Sequence, residues 1–291
     1  MLNLLKSDLY RITRLRGLRG AFWQYASACT AIFVLVYITF WFIANGDFSA
    51  SGLLLMSNYA SPSAMLGAII TDLAPLFACF IVVEHVLADF KEGFVRTLIS
   101  VRVGRLSYFA EKIVVAGIMA ALSAAVLAIL SLAFCGAVGG TFTGSDDVLG
   151  FLVWVLALWL NTWALAALAA MVALITRVPV LSYVMAFCLG SAVVPQGLTL
   201  IASLISAFGT PALGSIAQGI ANVIGELTYW MPSTLIAEFV TPGASALAGS
   251  GLGDFAAMLP GGAVTQAIAA PVIWIALAMV VTLAASKNRE V

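Results

Sequence analysis

The chain has 291 residues, of which 63% are apolar and only 9% charged, with 13 basic and 13 acidic side chains and a mean hydropathy of +1.11. A soluble domain is nearer half apolar and a quarter charged, so this composition excludes a soluble enzyme core. It also excludes a nucleic-acid-binding protein, which needs a basic surface on a soluble domain. The chain reads as an all-α membrane protein of the cell (inner, cytoplasmic) membrane.

Residues 1–20 are basic and amphipathic. Taken as a helix, Leu2, Leu5, Leu9 and Ile12 share one face, with Asn3, Ser7, Arg11 and Arg14 opposite. Such a helix can lie in the membrane interface with its bases near anionic lipid headgroups, or it can be a topology signal alone. Gly17 and Gly20 break it before the first apolar run, Ala21 to Ala44. That run is longer than the about 7–15 residues of a signal-peptide core, so it reads as a retained span.

About 20 apolar residues are needed per crossing. On that measure spans follow at Ala64–Leu87, Ile113–Gly136, Val148–Ile175, Val180–Ser206 and Ala263–Ala285. Pro179 suits the first turn of the fifth, and a kink is expected at Pro195. Residues 207–262, rich in Gly and Pro and without a base, are expected to form one or two short helices that dip into the outer leaflet. Residues 263–291 hold the last span and a basic-tipped tail.

All 13 bases fall in four stretches: Lys6–Arg19, Lys91–Lys112, Arg177, and Lys287 with Arg289. Basic residues stay on the cytoplasmic side of helical membrane proteins. Four contacts with one compartment imply six crossings with both termini cytoplasmic. Asp47, Asp72, Asp146, Asp147, Glu226, Glu238 and Asp254 then lie toward the outside, with no base among them.

Some residues could carry chemistry. Asp72 sits about two turns inside the second span, three residues before Pro75; it reads either as a lining residue of a path for a cationic or amphipathic substrate or as an interfacial acid that reaches water. Asn161 in the fourth span is a second candidate path residue, although an interhelix hydrogen bond is the more ordinary role. Trp154, Trp159 and Trp163 read as packing or lipid contacts. His85 is the only histidine, which argues against a metallopeptidase and places it at the membrane edge. The four cysteines are dispersed in apolar runs and read as packing residues. No metal ligand set emerges.

The segment Glu84–Lys112 holds five bases and four acids in 29 residues, and Phe94, Leu98 and Val101 have helical spacing. It reads as a docking surface for a cytosolic partner or as an ordinary interfacial loop. The string Asp89-Phe90-Lys91-Glu92-Gly93, followed by Arg96, Leu98, Gly104, Arg105, Tyr108 and Lys112, resembles the segment between spans two and three of ABC transporter permease subunits. The likeness is to the six-span exporter type that includes bacteriocin- and antibiotic-resistance permeases. Residues 1–9 resemble their N-terminal connecting helix, and Tyr229, Met231, Pro232 and Ser233 their aromatic-x-Pro-Ser stretch. Asp89 stands where Glu is usual and Phe94 where Thr is frequent.

The resemblance implies a coupling helix within 84–112. Asp89, Glu92, Gly93, Arg96, Arg102, Arg105, Tyr108 and Lys112 would then serve coupling to an ABC ATP-binding subunit. It also implies a second permease chain, identical or related, beside membrane lipid, and export of an amphipathic peptide, antibiotic or lipid-like molecule. ATP and Mg would be bound by the partner subunit, because this chain has no Gly-x-x-x-x-Gly-Lys-Ser/Thr phosphate loop; the chain itself would hold no cofactor and would not be an enzyme. The alternative is an ATP-independent secondary transporter or a membrane immunity protein. One histidine and no paired intramembrane carboxylates speak against an intramembrane enzyme.

Overall fold

The computed structural model describes residues 2–13, 21–43, 58–93, 105–208 and 214–288. Over these residues the protein is almost wholly helical. In chain order the elements are α1 (Leu2–Thr13), α2 (Ala21–Ile43), α3 (Pro62–Lys91), α4 (Arg105–Val138), α5 (Val148–Thr176), α6 (Pro179–Gly190), α7 (Val193–Phe208), α8 (Gly214–Tyr229), α9 (Pro232–Leu235), α10 (Gly253–Ala257) and α11 (Gly262–Asn288). A π-turn (Ile236–Val240) extends α9, and a 3₁₀ turn (Ala244–Ala248) precedes α10. Two-residue strands, Asn58–Tyr59 and Thr141–Phe142, pair in parallel.

Five helices, α2, α3, α4, α5 and α11, are long and apolar enough to cross a membrane, and α6 with α7 makes a sixth if the bent pair counts as one span. This is a multi-pass, membrane-embedded architecture. The expected kink at Pro195 is replaced by a break three to four residues earlier, at Ser191–Ala192. Ala192 adopts a left-handed backbone (φ 57°), and the two pieces meet at 74°. Pro195 falls in the first turn of α7, where its missing N–H breaks no helical bond.

The bundle core is α3, α4, α5 and α11, with α6 laid against α3 and α5. Small residues make this close. Ala157, Ala164, Ala167, Ala170 and Ala173 of α5 and Ala263, Ala267 and Ala270 of α11 are all fully buried, and small side chains let helix backbones approach where no hydrophobic force separates helix from lipid. α2 is peripheral, with most of its length exposed.

Charge segregates along the bundle. Every Lys and Arg in the described residues lies at one end, beside the N-termini of α4 and α6 and the C-termini of α3 and α11. Asp146, Asp147, Glu226 and Asp254 lie at the other. These are the basic and acidic ends below.

Between α7 and α11 the chain is more elaborate than one or two short helices. α8 ends beside α10: Glu226, in its last turn, accepts at Oε1 from the Asp254 N–H at 2.8 Å. The chain turns at Trp230, whose carbonyl accepts from the Trp274 indole in mid-α11 at 2.8 Å. α9 and the π-turn then climb back along α3 and α5 to Ala244, whose N–H donates to Ser63 Oγ at 2.8 Å. The Tyr229–Ser233 stretch is the bottom of this re-entrant excursion.

The climbing limb lies on bare backbone. A Cβ on Gly67 would stand 2.5 Å from the Thr241 carbonyl oxygen and 2.6 Å from that of Val240. Gly67→Ala should therefore cost about 1–3 kcal/mol by overpacking and lower the thermal midpoint of the detergent-solubilised protein. Gly219→Ala, where a Cβ meets nothing within 4 Å, should leave it unchanged or raise it slightly.

Candidate functional site

The most polar place in the protein is buried. At the basic end α1, α3 and α4 converge, each contributing residues one helical turn apart: Asp8 with Arg11, His85 with Asp89, and Tyr108 with Glu111 and Lys112. Such spacing places them on one face of each helix. Lys112 is 1% exposed, Asp8 2% and Asp89 0%, so these charges persist only by pairing.

The Lys112 ammonium is the hub. It donates to Asp8 Oδ2, lies 2.6 Å from Asp89 Oδ2 and 3.0 Å from His85 Nε2, which gives each of its three N–H groups an acceptor when that nitrogen is bare. Asp89 is shared further. Its Oδ1 accepts from Arg11 at 2.7 Å and its Oδ2 from the Tyr108 hydroxyl at 3.1 Å. Arg11 also reaches the exposed Glu92, 3.6 Å away. His85 Nε2 is 3.1 Å from Asp8 as well; protonated, it serves Asp8, and bare, it serves Lys112. Glu111 is buried 3.8 Å from Lys112, and neither of its oxygens has a hydrogen-bond partner among the described residues. Two cations thus balance two well-bonded carboxylates, and Glu111 is the surplus acid.

Burial alone would raise the Asp8 carboxyl, but the hydrogen bond from His85 and the charge of Lys112 outweigh it and hold it well below the ordinary range. Arg11 shows the mirror balance. Burial disfavours its charge, and Asp89 more than restores it, raising its pKa.

One imidazole and two carboxylates within 4.8 Å of one another, from His85, Asp8 and Asp89, form a donor set that suits a divalent cation. Here the position among them belongs to the Lys112 ammonium, so a metal would have to displace a buried lysine. Among the described residues no other metal-binding group occurs.

The residues assigned to coupling divide. Asp89, Tyr108 and Lys112 are buried in this ion network. Glu92 is exposed, and Gly93 closes α3 in a left-handed turn (φ 69°) with open space around it. Arg105 opens α4. Arg96, Arg102, and the helical spacing of Phe94, Leu98 and Val101 lie outside the described residues.

Sequence patterning missed Asp8, His85 and Glu111. It also centred α1 differently: Leu4, Asp8 and Ile12 are its buried positions, with Leu5 and Leu9 half-buried beside them. Apolar periodicity cannot see an acid on the buried face. The available signal was the pairing of polar residues at i, i+3 or i, i+4 beside spans on three separate segments.

In the acidic half, Asn161 is fully buried and donates to the Ala157 carbonyl at 2.8 Å and the Ala267 carbonyl at 3.0 Å, tying α5 to α11. It is an interhelix tie and lines no open path. Asp72 is exposed on α3. The tryptophans do more than fill space: Trp159 and Trp163 donate to the Gly117 and Ile113 carbonyls of α4, each at 2.8 Å, and Trp154 to that of Val240, also at 2.8 Å.

No protein-family profile, curated protein or solved structure matches the chain.

Two predictions come from the ion network. Lys112→Met strands two buried carboxylates and should cost about 3–5 kcal/mol, seen as faster hydrogen exchange across Leu4–Ile12; adding Asp8→Asn and Asp89→Asn should recover much of the loss. A folded-state pKa below the unfolded value means stability that is present above the unfolded value and lost as pH falls through the folded one. The stability difference between wild type and Asp8→Asn should accordingly stay constant from pH 7 to pH 5 and shrink as pH falls below 3.8, as measured by denaturant titration in detergent at each pH.

Proposed function

We propose that the chain is the membrane-spanning permease subunit of an ATP-driven ABC exporter, crossing the cell membrane six times with the basic end and both termini in the cytoplasm. The bent pair α6–α7 counts as the fifth crossing. Energy comes from a separate ATP-binding subunit, which holds ATP and Mg, and a second permease chain, identical or related, completes the translocation path. The substrate is amphipathic: a peptide, an antibiotic or a lipid-like molecule.

The observation that carries this reading is the ion network around Lys112. The stretch 92–104, inside the segment 84–112 that bears the motif likeness, joins α3 to α4. The helices on both sides of it are cross-linked to each other and to α1 within a few residues of where it begins and ends. A push on such a segment is not absorbed by slack in its stems but passes into two core helices. That is the mechanical requirement for coupling nucleotide-driven closure to a membrane bundle. The segregation of every described base to the same end agrees with that end facing the cytosol.

One observation favours an ATP-independent transporter: the break at Ser191–Ala192 makes α6–α7 a discontinuous helix, as secondary transporters use at their binding sites. Among the described residues it is the sole bent pair of this kind, where an inverted repeat calls for two.

Co-purification with ATP-binding proteins of the same cells distinguishes the two. The permease reading expects a stoichiometric ATP-binding partner that is lost on charge reversal at Arg96, Arg102 and Arg105, together with vanadate-sensitive transport. Transport that follows an imposed proton gradient without ATP, and no associated ATPase, would establish the alternative.

A further inference from the structure

α6 covers one face of α3 from the basic end only as far as mid-bundle. At Gly190 the two backbones nearly touch: a Cβ there would stand 2.6 Å from Leu76 Cα. The chain then turns away by 74°, and the same face of α3 continues toward the acidic end without it. Asp72 lies one turn beyond Leu76 on this face and is exposed, as is Ala68 another turn on. At 1.5 Å per residue, Asp72 is about 15 Å from the start of α3. A charged side chain at such depth in a span is costly unless it faces water or a partner.

Beside it opens a cavity of about 580 Å³ between α2, α3 and α4. It is lined by Phe33 and Phe40, by Ile69 and Leu73, by Phe134, and by Tyr59 at the acidic end. Ile69 and Leu73 are within one turn of Asp72. Phe33 and Phe40 both pack on Phe134, with ring centroids 6.0 and 6.2 Å apart. The size is that of a small-molecule site, apolar with few polar groups, and aromatic rings also attract cations.

The sequence decides the charge of the occupant. No Lys or Arg occurs in residues 20–90, 113–176 or 178–286, so nothing in the chain's acidic half can neutralise Asp72. A second copy of the chain meeting this face by two-fold symmetry would bring the same base-free surface and another Asp72, which is repulsion. Phospholipid amines sit at the interface, well above this level.

We propose that Asp72 and the adjoining cavity bind an amphipathic monocation, with its apolar body among Phe33, Phe40 and Phe134 and its positive head on the Asp72 carboxylate. This deepens the permease reading by giving its substrate a charge. The binding itself needs no ATPase.

The test uses the full chain in phosphatidylcholine nanodiscs, with radiolabelled tetraphenylphosphonium as probe. Saturable binding near one per chain is expected. Asp72→Asn should weaken it about tenfold or more, Asp72→Glu should keep most of it, and Phe134→Ala should weaken it with Asp72 intact. An alkyltrimethylammonium should compete and an alkyl sulfate of the same length should not. Asp72→Asn changes an exposed side chain and should keep the wild-type thermal midpoint, so lost binding is not lost folding. The absence of saturable binding, which includes the face being covered by a second copy, overturns the proposal. So does binding unchanged in Asp72→Asn, or equal competition by the alkyl sulfate. Failure to find an ATP-binding partner, with cation binding intact, counts against the permease reading alone.

Discussion

A buried ammonium must have acceptors for its protons, and that requirement organises the basic end of this protein. Lys112 is almost fully enclosed. Its three acceptors come from two other elements: Asp8 from α1, His85 and Asp89 from α3. Each geometric choice follows from keeping them together. α1 cannot simply float on the interface, because its Asp8 must be inside. α3 must extend to Asp89 and α4 must begin before Tyr108, because the donors and acceptors have to be presented by rigid helix. Isolated, each of these charges would be expelled from the bundle or neutralised; together they form a closed set. An ion network of this kind is weak evidence for stability.

The same requirement explains where sequence reading succeeds and fails. The long apolar runs locate α2, α3, α4, α5 and α11, because nothing else buries twenty consecutive apolar residues. The ends are less legible. Ile113 looks like the start of the third span because Glu111 and Lys112 look like loop residues; the helix begins eight residues earlier, at Arg105, because those charges are satisfied inside it. α1 is legible as amphipathic but centred differently, since its buried stripe contains an acid. The break after Gly190 has no proline at the joint. It is made by Ala192 in a left-handed conformation, which no composition rule flags. Asn161 and Asp72 are both polar residues in spans, Asp72 the sharper candidate and Asn161 the more ordinary interhelix residue. Only the backbone carbonyl of Ala267 on one side, and the departure of α7 on the other, separate a structural tie from an open carboxylate.

Irregular backbone at membrane depth is tolerated only where protein covers its polar groups. The re-entrant stretch meets that condition with indoles and side-chain amides. Trp154 and Trp274 supply donors to the carbonyls of Val240 and Trp230. Gln266 donates to the Tyr229 and Leu252 carbonyls and accepts from the Leu252 N–H. The long tryptophans of α5 are thus spread along the bundle for a reason that hydropathy cannot show. Trp154 holds this stretch, while Trp159 and Trp163 bond carbonyls of α4, and the stretch is anchored to α3, α5 and α11 at once. α7 and α8, by contrast, pack mainly on each other and leave Leu200, Ile201, Ile216, Ile220 and Val223 exposed.

α3 links the two ends of this architecture. Its basic end holds Asp89 in the ion network, its middle meets Gly190 where α6 stops, and its acidic half carries Asp72. About 25 Å of helix separates Asp72 from Asp89, with Pro75 between them. A proline inside a helix removes one backbone hydrogen bond and is a preferred place to bend. Coupling between distant sites needs an element with two discrete arrangements, and a rigid rod fixed at one end does not supply one. A helix clamped at Asp89 and interrupted in its hydrogen bonding at Pro75, against a neighbour that itself breaks at the same level, has a place for one. On the permease reading, force applied beyond Asp89 would therefore appear as a change in the wall that carries Asp72, not as a movement of the clamp. The well-paired charges at the basic end and the uncompensated acid in the opposite half are then two ends of one lever.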